Sequence, residues 1–275
     1  MILRSGRVEG IPYSLSRWTD LPGSTQKWQW FEQCLAFGQM IAFDPRTGVP
    51  SVWSLRPEDT LGLVFWTKDP RNLIAAQLRL QDYDVSVHVT ATGWSEVERG
   101  APSLEDAGHL LIETAKAFSL VRWRFSPIPL LPDWVVLERF KILLGYASTA
   151  GLKEVFVSFL QPNDRIPETR TKEQRFALLN ELADEAAQAG VQIALCQDDL
   201  SFIDATDQRF TVDVCVPPKD FPGASPAYER CGCVLMVDPF TINETCSFGC
   251  QYCYAGDQGL AVKKRNSTKS LPVIR

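Results

Sequence analysis

Histidine is nearly missing from this chain: His88 and His109 are the only two in 275 residues. They form no metal-binding His pair. No Ser-His-Asp arrangement and no phosphate loop ending in Lys-Ser/Thr is readable either. Hydrolase and kinase readings therefore lack residues to carry them. Long apolar runs are missing too, since none reaches the ~18 residues a membrane span needs, so no membrane partner is expected. Met1–Arg7 lacks the apolar core of a signal peptide, and a cytoplasmic location is expected. The net charge of −5 gives no global support to a nucleic-acid or membrane-surface partner.

What is present is an ordinary soluble mixture, 45% hydrophobic and 22% charged, long enough for one large domain or two small ones. Cysteine is the informative residue. Eight occur, and seven of them fall between Cys196 and Cys253. In a chain without a secretory signal such clustering points to metal binding rather than to four disulfides. The remaining one, Cys34, sits on the first expected helix as a packed core residue.

The densest stretch is Cys246-Ser-Phe-Gly-Cys250-Gln-Tyr252-Cys253, a C-x3-C-x2-C loop. Structural zinc takes four ligands, usually in two separated pairs, so three thiols in one loop suit it poorly. Iron–sulfur clusters are held by cysteine thiolates, normally four. A loop that supplies three leaves one iron of a [4Fe-4S] cluster open.

Elsewhere short apolar runs recur, each ending in polar residues and most followed by a helical pattern. They are Gly10–Ser16, Leu61–Trp66, Val85–Val89, Leu120–Phe125, Glu154–Phe159 and Val191–Leu195. Helices are expected at Ser24–Phe37, at Ser103–Phe118 with Ser103 as N-cap, at Asp133–Leu144, and at Lys172–Ala189 stopped by Gly190. Strands alternating with helices imply parallel pairing through crossover helices. The expected fold is α/β, a full or partial (β/α) TIM-like barrel with a C-terminal cysteine-rich segment. Its chemistry is expected on the loops at the C-terminal strand ends. The expected layout is a barrel core over residues 1–213 with a hairpin insertion at 39–55 turning at Asp44-Pro-Arg-Thr-Gly48. A cysteine-rich segment, 214–255, follows, and then a basic tail, 256–275.

The cysteine loop resembles the signature of the radical S-adenosylmethionine (SAM) superfamily, in which the open iron chelates the amino and carboxylate groups of SAM. A second, longer resemblance runs over most of the chain. Its marks are Ser14-Leu-Ser16-Arg17-Trp-Thr19-Asp20-Leu-Pro22, Leu55-Arg-Pro-Glu-Asp59, Val64-Phe-Trp-Thr-Lys68-Asp-Pro70 and Trp123-Arg124-Phe-Ser-Pro127. Val157-Ser-Phe159, Cys231-Gly-Cys233 and Thr245-Cys246 through Ala255 complete the set. These look like domain-of-unknown-function family 1848, a radical-SAM-like group often labelled DNA-repair-photolyase-like, or spore-photoproduct-lyase-like, that carries its three-cysteine motif at the C-terminus. Trp18 stands where that pattern has a second arginine, and Ser126 where it has an aspartate.

The resemblance implies a radical-SAM enzyme. Cys246, Cys250 and Cys253 would hold the cluster, and reductive cleavage of SAM would give a 5′-deoxyadenosyl radical that abstracts hydrogen from a substrate. Tyr252 would lie near the adenine, with Asp198 and Ser16 as further cofactor contacts. Arg17, Asp20, Lys68 and Arg124 are candidate catalytic residues; the two arginines offer bidentate forks for SAM's carboxylate or a substrate anion, or a salt bridge in the barrel mouth. Cys196, Cys215, Cys231 and Cys233 are a candidate second site for another [4Fe-4S] cluster or zinc, or else dispersed thiols. The substrate is a small molecule or a modified nucleic acid, and the partner an external electron donor such as flavodoxin or ferredoxin. The other function class is a non-catalytic binding protein stabilised by zinc or an inert cluster, or an electron carrier. His88, on an alternating strand opposite Val85, Val87 and Val89, is expected to face away from them.

Overall fold

The computed structural model describes residues 4–5, 11–16, 19–43, 49–162, 169–195, 207–211, 214–225, 232–238 and 246–253. From the N-terminus come β1 (Arg4–Ser5), β2 (Tyr13–Ser14), α1 (Thr25–Phe37), β3 (Gln39–Phe43) and β4 (Pro50–Ser54). Next are β5 (Leu63–Thr67), α2 (Arg71–Ala75), β6 (Val85–Thr90), α3 (Leu104–Ala117), β7 (Leu120–Ile128) and α4 (Asp133–Thr149). The series ends with β8 (Glu154–Phe159), α5 (Lys172–Gln188), β9 (Gln192–Leu195) and β10 (Phe210–Thr211).

Seven strands form one sheet in the order β10-β9-β8-β7-β6-β5-β2, and every neighbouring pair is parallel. The fold is therefore α/β, with strands in chain order and a helix in most crossovers. Among the described residues β2 and β10 are the sheet's edges. The outer edge of β2 takes a parallel bridge from Val237 to Tyr13. The expected hairpin forms as β3 and β4 pair antiparallel from Gln39↔Ser54 to Phe43↔Pro50, and β1 adds to β4 in parallel. The Asp44–Gly48 turn lies outside the described residues.

Period-two alternation decides the faces. Phe65, Val87, Val89, Phe125, Val157 and Ile193 turn to the helices and join a large core with Phe31, Leu111, Phe140 and Leu182. Val64, Phe156 and Ala194 turn the other way, where Cys215, Val216, Phe221, Cys233 and Val234 cover them as a smaller second core. The C-terminal segment thus packs on the sheet face opposite the helices. Val234 N–H donates to Val216 O at 2.9 Å, which ties residues 214–225 to residues 232–238.

Side-chain caps account for two of the five α-helix starts among the described residues. Ser103 caps α3 by accepting from Asp106 N–H at 3.1 Å, and Thr171 with Gln174 forms a full capping box on α5. Several bounds differ from expectation. α4 runs on from Leu144 to Thr149, through Gly145, because its last turn buries Ala147 completely; that burial outweighs the roughly 1 kcal/mol glycine costs inside a helix. β7 continues to Ile128 through Ser126-Pro127 by a register shift after Phe125, an irregularity that tolerates a residue without an N–H. The first expected strand is reduced to Tyr13–Ser14, with Gly10 outside the described residues, and α2, β1 and β10 carried no signal that stood out in the sequence.

Candidate metal centre

The polar residues that follow β2, β5 and β6 build one ledge. Asp20 is its knot. Its carboxylate accepts from Thr67 Oγ1 at 2.7 Å, Lys68 N–H at 2.6 Å and Gly23 N–H at 2.9 Å, binding the loop after β2 to the end of β5. Burial pushes its carboxyl up to about 6, against the lowering pull of those three bonds. Lys68 Nζ reaches Glu98 at 2.8 Å, with side-chain exposures of 12% and 1%. Glu98 also accepts from Thr92 Oγ1 at 2.8 Å and from the Tyr252 hydroxyl.

The cysteine loop rests on this ledge. Gly100 N–H donates to Phe248 O at 3.0 Å, and Gln251 N–H donates to Val97 O at 2.9 Å. Two glycines make the approach possible. A Cβ on Gly100 would stand 2.6 Å from Ser247 O and 2.8 Å from Phe248 Cα, both backbone. One on Gly23 would stand 2.4 Å from the Phe248 ring. Phe248 is itself 4% exposed, wedged between loops from two strand ends.

Cys246, Cys250 and Cys253 line a single cavity of about 390 Å³ together with Asp20, Lys68, Arg124 and Tyr252. The Cys250 thiol is pushed up to about 12, first by burial and further by Glu98, Cys246 and Cys253, while Lys68 works against them. Burial also raises Cys246, with Asp20 adding to it, although the N–H groups of Phe248 and Asp20 favour its thiolate. Three thiols whose charges oppose one another are a donor set that a cationic centre satisfies. Among the described residues no three His, Cys, Asp or Glu side chains converge on a single metal ion. Tyr252, half-buried and bonded to Glu98, has its hydroxyl held well above the usual tyrosine range, chiefly by desolvation of that group.

Ser16, 8% exposed, lines the same cavity, and its Oγ has no hydrogen-bond partner among the described residues. Arg124 lies over the Trp66 ring at 4.9 Å with Nη1 at 3.5 Å from Cys215 Sγ. His88 turns away from the valines as expected and stacks on Trp66 at 3.9 Å. Ser126 bonds Ser158 across β7 and β8. Cys215 and Cys233 are buried together in the second core, and Cys34 is buried in the first. Arg17, Trp18, Asp198, Cys196 and Cys231 lie outside the described residues, as does 256–275.

Glu98, Gly100, Gly23 and Phe248 went unnoticed in the sequence. Glu96 and Glu98 look alike there, yet Glu96 takes Arg139 at the surface, at 2.5 Å, while Glu98 is buried in the ledge. Only their place after a strand end was a signal.

No curated protein matches the chain. Among solved structures it is similar to the IOLI protein with a binding zinc atom, at 14% identity and a TM-score of 0.30, over 68% of this chain. The chain spans 50% of that protein's length, and a likeness this faint carries no argument. The family model described as a domain of unknown function, DUF1848, matches residues 13–255, the stretch from β2 to just past the cysteine loop, and the chain belongs to that family.

Proposed function

We propose that the protein is a radical-SAM enzyme whose cluster is held by Cys246, Cys250 and Cys253. One observation carries this reading: three thiols at C-x3-C-x2-C spacing line one cavity with charged side chains at the C-terminal strand ends. A purely structural metal site would be closed by four ligands and would need no such cavity beside it. The reduced [4Fe-4S] cluster supplies, when bound, the electron that splits SAM into methionine and a radical able to take hydrogen from a substrate.

The chain's own residues orient and enclose. Glu98 holds Tyr252 and Lys68, Asp20 ties the loop after β2 to the end of β5, and the buried Phe248 packs the cysteine loop against Gly23 and Gly100. Arg17 and Asp198 remain proposed contacts for SAM or substrate, and Cys196, Cys215, Cys231 and Cys233 a proposed second site for an auxiliary cluster or zinc. Strand order and one-sided helices support a partial (β/α) barrel, closed or nearly closed by the C-terminal segment. A reducing cytoplasm with a flavodoxin- or ferredoxin-like donor suits that chemistry.

Anaerobically purified protein is expected to be brown, with about four iron atoms per chain, or about eight if both sites hold clusters. With dithionite and SAM it should release 5′-deoxyadenosine, and Cys250→Ala should abolish the product and lower the iron content by about four atoms per chain. Verified cluster without 5′-deoxyadenosine sinks the catalytic claim, and a colourless zinc protein favours the metal-stabilised binding module.

A further inference from the structure

We propose that the strand-borne floor of the cavity binds one oxyanion of the substrate, a carboxylate or a phosphate, between the Arg124 guanidinium and the Ser16 hydroxyl. The proposal deepens the reading above and depends on it only for calling the ligand a substrate.

Three charged side chains line the cavity: Asp20, Lys68 and Arg124. The first two are matched within the protein. Asp20 accepts three hydrogen bonds, and Lys68 is paired with Glu98 at 2.8 Å. Arg124 has the Trp66 ring and the Cys215 sulfur, and no carboxylate among the described residues stands within ion-pairing distance of it. Its neighbour on the same strand face makes the contrast. Arg122 is paired with Asp220 at 2.6 Å, with side-chain exposures of 11% and 3%. One arginine of β7 is built into the structure, and the other faces the cavity with no carboxylate paired to it among the described residues.

Geometry adds the second element. A guanidinium lying flat on an indole keeps its N–H edges free for in-plane bonds, and those edges match a carboxylate or phosphate in bidentate fashion. Ser14 pairs in register with Val64 and Leu15 N–H donates to Val64 O, so alternation puts Ser16 on the same sheet face as Trp66. Ser16 Oγ is therefore a buried, unpartnered donor on the cavity wall near the ring that carries Arg124. A buried hydroxyl without a partner is costly, and a bound oxyanion removes that cost. The positive charge of Arg124 favours an anion, since Lys68 is paired with Glu98 and the Asp20 carboxylate is held by three hydrogen bonds.

The test uses the full chain as purified anaerobically, titrated with inorganic phosphate or with succinate at constant ionic strength made up with chloride. Binding is read by calorimetry and by the melting temperature. A saturable response to phosphate, to succinate or to both is expected; the stronger one names the source. Arg124→Gln should weaken it about tenfold or more, the usual worth of a charge-assisted pair, and Arg124→Lys should weaken it less. Arg79→Gln removes an exposed charge paired with Glu32 and should change nothing. Ser16→Ala should weaken binding several-fold while the anion-free protein melts at the same or a higher temperature, a combination a merely structural serine would not give. If Arg124→Gln fails to fold, Ser16→Ala decides alone. Absence of saturable binding of either anion, or binding that survives Arg124→Gln, overturns the proposal. So does a SAM titration of cluster-loaded protein in which Arg124→Gln weakens SAM while neither anion binds. Failure of 5′-deoxyadenosine formation leaves these titrations readable, so the two readings stand or fall separately.

Discussion

Glu98 is the residue on which most of the ledge converges. It is a carboxylate with 1% of its side chain exposed, holding Lys68, Thr92 and Tyr252 at once. Removing one partner of a buried ion pair strands the other charge and costs about 3–5 kcal/mol. Glu98→Ala is therefore expected to lower the unfolding free energy by that order in urea, and Tyr252→Phe by about 1 kcal/mol. An unchanged urea midpoint for Glu98→Ala would show that Lys68 finds another partner. His88 sets a pH dependence. Burial, with Arg124 and Arg122 nearby and Cys215 opposing them, holds its imidazole well below the usual histidine range. The unfolded chain binds a proton below about pH 6.5 that the folded chain refuses. Stability from this group is thus complete above about 6.5 and lost as pH falls below it, with a slope of up to about 1.4 kcal/mol per pH unit. Denaturant titrations between pH 7.5 and 5.5 should show a shallower slope in His88→Gln than in the native chain.

At the scale of elements, the cysteine loop and the segment Trp94–Gly100 act as one unit. Trp94 anchors that segment by donating from Nε1 to Pro127 O at 2.9 Å, and Gln251 and Phe248 hydrogen-bond to its backbone. A methyl group on Gly100 would meet backbone atoms, which cannot swing aside as a flexible side chain can. Gly100→Ala should cost about 1–3 kcal/mol through this overlap. It should also lower iron content after reconstitution while the far-ultraviolet circular dichroism stays unchanged. Full iron loading in that variant would mean that the loop docks elsewhere. The helices obey simpler rules. Thr171→Ala removes the capping box of α5 and should cost about 1 kcal/mol without touching iron content.

For the whole molecule, the question is whether the C-terminal segment is a separate body. Phe221, fully buried, packs with Val64 and Phe156 of the sheet, and Arg122 of β7 is paired with Asp220 beside it. These are contacts of a shared core. Phe221→Ala should cost about 3–5 kcal/mol and shift a single unfolding transition. Two separate transitions, with the sheet's unchanged, would show that the segment folds by itself.

The sequence alone determined the periodic and the local. Short apolar runs such as Val85–Val89 and Glu154–Phe159 marked strands of the sheet, Ser103 marked a helix start, and the spacing of Cys246, Cys250 and Cys253 marked a candidate donor set. Each of these is written in residues a few positions apart, where backbone geometry ties spacing to direction. The tertiary structure decided which charges are matched. Glu98 meets Tyr252 across 154 positions, Arg122 meets Asp220 across 98, and nothing in the chain marks those partners or separates Arg122 from Arg124. Gly23 and Gly100 became legible only once Phe248 stood against them. Such pairings depend on the sheet's order and on what the C-terminal segment covers. Short-range pattern carries no information about either.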